Sequence, residues 1–216
     1  MVQRAIYFKI IMYNFRKQII PIIILGVVFC FCNGRPVSQQ VCFQLIGADS
    51  IPDSAVEAVA RVLLDSLQIR IKVKKGLVLP DSVWSLERKR YRAAEVLRWM
   101  GEVKAPNSAE YQLLITDKDL GVDYGGEKLR GANGLSVQGG QFAIISDYRL
   151  HQFGRSPDSI NYYLGKVALH ETGHLLGLTH CQTPHCIMES VEIKQHITTL
   201  EGFCDHCKKK LFHKCE

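Results

Sequence analysis

The first 34 residues contain no aspartate or glutamate, and no stretch of the chain stays apolar for the roughly 20 residues that a membrane-spanning helix needs. The first absence leaves Arg4, Lys9, Arg16 and Lys17 unopposed ahead of an uncharged, nearly all-apolar run of about 14 residues, Ile19 to Cys32, which is the layout of an export signal. The second argues against a retained span. Residues 1–34 are therefore expected to be a signal peptide cleaved after Gly34, with an N-terminal membrane anchor, or lipid on Cys30 or Cys32, as alternatives. The expected location is extracytoplasmic, and cytoplasmic only if that segment is not a signal.

Charge of one sign is also scarce outside that segment. The formal net charge is +6, and six less the four N-terminal cations leaves +2 on residues 35–216. Nucleic acid is accordingly not an expected partner, and Lys208-Lys209-Lys210 reads as a solvated face. Internal repeats and low-complexity segments are missing too, so the remaining residues 35–216 are expected to form one monomeric domain.

Within that domain, Val41 to Ile46 reads as a strand. Asp53 to Leu67 reads as a helix, with Val56, Val59, Ala60, Leu63, Leu64 and Leu67 at helical intervals. Ile69, Ile71 and Val73 alternate with cations, the period of a half-exposed strand. Leu86 to Met100 carries Tyr91, Ala94, Leu97 and Met100 on one side, predicting an amphipathic helix. Tyr111 to Thr116 is a further strand, and Gly121 to Gly140 is a glycine-rich loop ending in a short strand near Leu135 to Gln138. Gln141 to Ser146 is a buried strand joined to it across Gly139-Gly140. Ser156-Pro157 then caps a long helix. Strands first and a long helix afterwards indicate an α+β fold.

That last helix carries His170 and His174, four residues apart, so both imidazoles leave one face a turn apart and can reach one ion. Glu171 lies beside them, where a carboxylate can take a proton from a water on the metal without itself ligating. Gly177 permits the positive φ at which the chain leaves the helix, and His180 can then swing back as third ligand. Three histidines leave a fourth position for water, which distinguishes a catalytic zinc from a structural one. His151, His185, His196, His206 and His213 lack such spacing and read as surface residues.

Four of the eight cysteines form two close pairs, Cys181 with Cys186 and Cys204 with Cys207, separated by 17 residues. The spacing suits a closed four-thiolate zinc site of structural role, giving two Zn2+ per chain in all. Two disulfides are the alternative, because export favours oxidation. Cys42 and Cys215, near the ends of the mature chain, can be imagined as a clasp.

The string His-Glu-Thr-Gly-His-Leu-Leu-Gly-Leu-Thr-His-Cys from His170, then Cys186-Ile187-Met188 and Cys204-x-x-Cys207, resembles the archaemetzincin (archaelysin) family of zinc peptidases. Weaker likeness extends back through Arg-Tyr-Arg-Ala-Ala around Tyr91, Thr116 to Leu120, and Ile145 to Leu150. The resemblance implies a metzincin-like mixed twisted sheet with a long active-site helix and a zinc-bearing C-terminal segment. It also implies that Met188 floors the catalytic zinc, and that Ala143 to Ser146 is the sheet edge along which an extended peptide pairs. Two departures stand out: the 15 residues between Met188 and Cys204 look short for the family, and an export signal is unusual in it. Peptide or protein is the implied substrate, and hydrolysis by water activated through Glu171 the implied reaction. A catalytically weak zinc-containing module that binds peptides is the alternative.

Overall fold

Three short runs of branched apolar residues, interleaved so that neighbours point to opposite faces, form the centre of the molecule. In the computed structural model, which describes residues 42–103, 111–152, 154–189 and 199–212, these are β1 (Cys42–Ala48), β5 (Tyr111–Thr116) and β9 (Phe142–Ser146), all mutually parallel. Phe43, Leu45, Leu113, Ile115, Ala143 and Ile145 enter one buried cluster, while Ile46, Ala48, Leu114 and Ile144 enter another. The period of two thus sorts one sheet's residues into two cores. Each fully buried Leu, Ile or Phe contributes roughly 1.5–3 kcal/mol relative to exposure.

The sheet has five strands in the order β2-β1-β5-β9-β8. At one edge β2 (Arg70–Leu77) pairs parallel to β1 and is exposed along most of its length, which suits its lysines. At the other edge β8 (Gly134–Ser136) runs antiparallel to β9. The first face is covered by α1 (Asp53–Leu67) and α4 (Pro157–Leu175), which pack on each other. The second face is covered by α2 (Ala93–Val103) and by a small sheet of order β3-β4-β6-β7. Its strands are β3 (Trp84–Ser85), β4 (Arg90–Arg92), β6 (Leu120–Tyr124) and β7 (Glu127–Ala132). A short α3 (Tyr148–His151) leads from β9 toward α4, and α5 (Asp205–Phe212) closes the described chain. The mixed sheets and helices bear out the α+β expectation.

Three local expectations need correction. The helix expected over Leu86 to Met100 begins only at Ala93. Before it, Trp84 and Tyr91 pair across a hairpin with rings 5.0 Å apart, and Lys89 turns the chain at φ 50°, so aromatic pairing overrides the helical spacing. The glycine-rich stretch expected as a loop contains the β6–β7 hairpin, turned at Gly125-Gly126. In β6, Leu120, Val122 and Tyr124 do alternate with Gly121 and Asp123, but the glycines on either side mask so short a period, and β7 (Glu-Lys-Leu-Arg-Gly-Ala) has none. Finally, Ala143 to Ser146 is not a sheet edge: β9 is flanked by β5 and β8, and the free edge on that side is β8.

The expected signal or anchor, residues 1–34, lies outside the described residues, as do Phe153, residues 190–198 within the interval that looks short for the family, and Cys215 of the imagined clasp. Among the described residues, no helix is long and apolar enough to cross a membrane.

Candidate metal centre

Helix α4 is started by Ser156, whose hydroxyl accepts a hydrogen bond from the Ser159 amide (3.4 Å), with Pro157 at the first helical position. Ile160, Leu164, Val167, Ala168 and Leu175 bury its inner stripe and fix its rotation. That rotation leaves His170 and His174 side by side, ring centroids 4.7 Å apart. The helix stops where expected. Gly177 has φ 92°, its amide bonds back to the His174 carbonyl (2.9 Å), and the Leu178 amide reaches the Gly173 carbonyl (2.9 Å). The reversal brings the His180 ring within 4.9 Å of His174 and 5.5 Å of His170, centroid to centroid.

The hydrogen bonds settle the tautomers. His170 Nδ1 lies 2.7 Å from the Ile187 carbonyl and His174 Nδ1 lies 2.8 Å from the Leu178 carbonyl. A carbonyl only accepts, so each Nδ1 carries the proton and each Nε2 presents a lone pair. Those two Nε2 atoms face each other at 3.2 Å. Two lone pairs repel at that distance unless a cation lies between them. Protonation is disfavoured, because burial first of all pushes both imidazoles below their ordinary pKa, against the smaller upward pull of the two carbonyls. A tetrahedral ion with bonds of about 2.0–2.1 Å sets its nitrogen ligands about 3.3–3.4 Å apart. The donor set therefore fits zinc, and the ligand atoms of the three histidines all lie within 4.8 Å of one another.

Glu171 is buried on the same helix, and burial raises its pKa; a hydrogen bond from Ser136 and the nearby His174 and His180 act against that rise. Ser136 Oγ donates to Glu171 Oε2 at 2.5 Å. Two residues earlier on the same face of β8, a methyl group on Gly134 would sit 2.8 Å from Glu171 Oε1. The edge strand thus closes around the carboxylate. The turn that follows is tied to the helix as well, through the Gly139 amide and the His174 carbonyl (2.8 Å). Ser136 and Gly134 escape sequence reasoning because nothing near them in the chain marks a contact with a helix 35 residues away. Met188 is fully buried, and a methyl on Gly173 would collide with its sulfur, which places it beneath the histidine-bearing turn as a packing residue.

The four clustered cysteines also meet. Cys181 and Cys204 sulfurs are 3.7 Å apart, Cys186 and Cys207 sulfurs 3.8 Å, and all four lie within 4.8 Å of one another as free cysteines. Zinc–sulfur bonds of about 2.3 Å set tetrahedral sulfurs about 3.8 Å apart, whereas a disulfide needs about 2.05 Å. Amides of Thr183 and Cys204 point at the Cys181 and Cys186 sulfurs (3.4 Å each). Burial pushes the Cys204 thiol up, yet hydrogen bonds from the Cys207 backbone and from Thr183, Cys186 and Cys181 bring it down to about 6. Burial raises Cys186 and Cys207. Thiols packed so closely cannot all ionise without a cation among them.

Of the remaining histidines, His151, His185 and His206 are exposed, in keeping with their reading as surface residues, while His196 and His213 lie outside the described residues. His151 Nε2 pairs with the buried Asp147 at 3.1 Å.

Comparison with known proteins agrees with this geometry. The sequence model described as "Peptidase family M54" matches residues 49–213. The archaemetzincin of Saccharolobus solfataricus is 29% identical over 154 residues, covering 67% of this chain and 78% of that protein. The archaemetzincin of Haloquadratum walsbyi is 24% identical over 176 residues, covering 78% and 98%. The crystal structure of archaemetzincin from Methanopyrus kandleri superposes with a TM-score of 0.65 at 26% identity, covering 81% of this chain and 94% of that one. The chain belongs to peptidase family M54, and by that membership is an archaemetzincin-type zinc metallopeptidase.

Proposed function

We propose that the chain hydrolyses peptide bonds with one zinc held by His170, His174 and His180, with Glu171 as general base, and that a second, structural zinc is held by Cys181, Cys186, Cys204 and Cys207. The observation that carries the catalytic reading is the pair of Nε2 lone pairs facing each other at 3.2 Å beside a buried carboxylate. When bound, zinc supplies a Lewis acid that polarises the scissile carbonyl and acidifies water.

The protein's own groups do the rest. The carbonyls of Ile187 and Leu178 lock both imidazoles with Nε2 forward, so no reorientation precedes binding. Glu171, held by Ser136, accepts the proton of the attacking water and returns it to the leaving amine nitrogen. Desolvation keeps the carboxylate's basicity higher than in water, which suits both halves of that task. Among the described residues β8 is the edge strand beside Glu171, where an extended peptide can add as a further strand.

The test is cleavage of a diverse peptide library by zinc-loaded protein beside Glu171→Ala. Loss of about 10²–10⁴-fold in kcat, the span of general acid–base catalysis, is expected with zinc retained. Undiminished cleavage by Glu171→Ala would remove Glu171 from the mechanism. No cleavage by either protein would leave the chain a zinc-containing binding module.

A further inference from the structure

Strand β8 divides its side chains between two faces. Gly134 and Ser136 lie on the α4 side and close on Glu171. Leu135, between them, points the other way. It packs on the second core with Phe142 of β9 and Trp99 of α2, and all three are only partly buried. The ladder continues one residue past the strand: the Val137 amide donates to the Phe142 carbonyl (3.5 Å), and the Gly140 amide to the Val137 carbonyl (2.8 Å). Val137 therefore shares the face of Leu135, and it is 53% exposed. The turn holds it in place, because a methyl on Gly140 would sit 2.7 Å from Val137 Cβ.

One exposed valine is ordinary on a protein surface. This one continues an apolar strip that borders the candidate site. Ser136, the residue between Leu135 and Val137, is bonded to Glu171 at 2.5 Å, and the Gly139 amide, two residues on, is bonded to the His174 carbonyl at 2.8 Å. In an antiparallel ladder, alternate residues turn their amide and carbonyl toward the same neighbour. Asn133 and Val137 turn theirs to β9, where the Ser146 amide meets the Asn133 carbonyl at 2.8 Å, and Leu135 between them does the same. Gly134 and Ser136 consequently turn theirs away from β9. A peptide added on that side alternates its own side chains with the same period of two. Those level with Gly134 and Ser136 lie on the Glu171 face; those level with Leu135 and Val137 lie on the other face, against two apolar side chains.

We infer that Leu135 and Val137 determine specificity by selecting peptides with two apolar side chains at positions i and i+2, both on the face turned away from Glu171. The inference rests on strand addition at β8 within the peptidase reading, and adds a substrate class to it. Neither residue takes part in proton transfer. Their contribution is to binding, so it is expressed in KM and not in kcat.

Binding separates the inference from turnover. Zinc-loaded full-length Glu171→Gln protein is titrated calorimetrically with peptides of one composition, two isoleucines in a polar host sequence, placed either adjacent or two apart. Whatever register it takes, an adjacent pair can set only one side chain on the strip. The spaced pair is expected to bind about tenfold tighter, the lower end of what a hydrophobic contact discriminates. Val137→Asn in the same background abolishes that advantage, and Val137→Ile keeps it, both with zinc content unchanged. Val73→Asn, at a half-exposed valine on the opposite edge strand β2, also keeps it. Equal affinity for the two spacings, an advantage that survives Val137→Asn, or no binding by any peptide overturns the inference. If the wild-type protein cleaves nothing while Glu171→Gln still prefers the spaced pair through Val137, the peptidase reading falls and the strip stands. Cleavage indifferent to the spacing has the opposite meaning.

Discussion

Glu171 is a carboxylate removed from water and given one strong hydroxyl donor, Ser136, at 2.5 Å. A hydrogen bond to a charged group is worth roughly 1.5–3 kcal/mol, about tenfold to hundredfold in rate if it is needed to hold the transition-state geometry. Ser136→Ala is therefore expected to lower kcat by that factor with little change in KM, and Ser136→Thr to restore most of it, as steady-state kinetics will show. The bond also lowers the Glu171 pKa against the upward push of burial. Its loss leaves the carboxylate protonated to higher pH, so the acidic limb of kcat/KM moves upward. An unmoved limb and an unchanged kcat would reduce Ser136 to a packing contact.

Elements matter here because α4 is gripped from both sides. The β8–β9 hairpin holds its outer face through Ser136 and through the Gly139 amide, and Met188 supports the turn containing Gly173. A methyl on Gly173 would approach the Met188 sulfur more closely than packed atoms allow. Gly173→Ala is expected to destabilise the fold by about 1–3 kcal/mol, the usual cost of overpacking, and to loosen zinc at the histidines. Urea unfolding with zinc analysis measures both. The cysteine cluster ties Cys181 and Cys186, after α4, to Cys204 and Cys207, at the start of α5. Cys204→Ala should release one zinc of two and raise amide hydrogen exchange in Asp205–Phe212, leaving the zinc at the histidines in place. Elemental analysis showing one zinc in both wild type and variant would dismiss the second site.

For the whole molecule, the histidines couple folding to pH and, with the proposed zinc, to metal binding. Burial depresses the folded pKa of His170 and His174 below the ordinary value of 6.5, so the unfolded chain binds more protons once pH falls below about 6.5. Their contribution to stability is complete above that pH and is lost progressively as pH falls toward their folded values. Zinc binding requires the same neutral imidazoles, and so weakens in the same direction. The expected outcome is a Tm that drops between pH 7 and pH 5, with the gap between zinc-loaded and zinc-free protein narrowing as it drops. Scanning calorimetry of both forms across that range checks it. A gap that widens on acidification would show that the histidines do not hold the metal.

The amino-acid sequence by itself pointed to both proposed metal-ligand sets. Side chains four apart on a helix, and the two cysteines within each close pair, are neighbours by local geometry, whereas the meeting of one cysteine pair with the other is tertiary. It also determined the ends of α1 and of α4, the three central strands and the turn at Gly177, because hydrophobic period, cap and positive φ are local properties. It misplaced the start of α2, since the pairing of Tyr91 with Trp84 and Leu120 depends on strands elsewhere in the chain. It missed the β6–β7 hairpin, because the alternation of Leu120, Val122 and Tyr124 is short and set among glycines, and β7 shows none. Only the tertiary structure decided that β8 rather than β9 is the edge strand among the described residues, and that Ser136 and Gly134 close on Glu171. The contacts of Glu171 with Ser136 and Gly134 join residues more than 30 positions apart, and at that separation the packing of a whole sheet against a helix, not any local preference, selects which side chains meet.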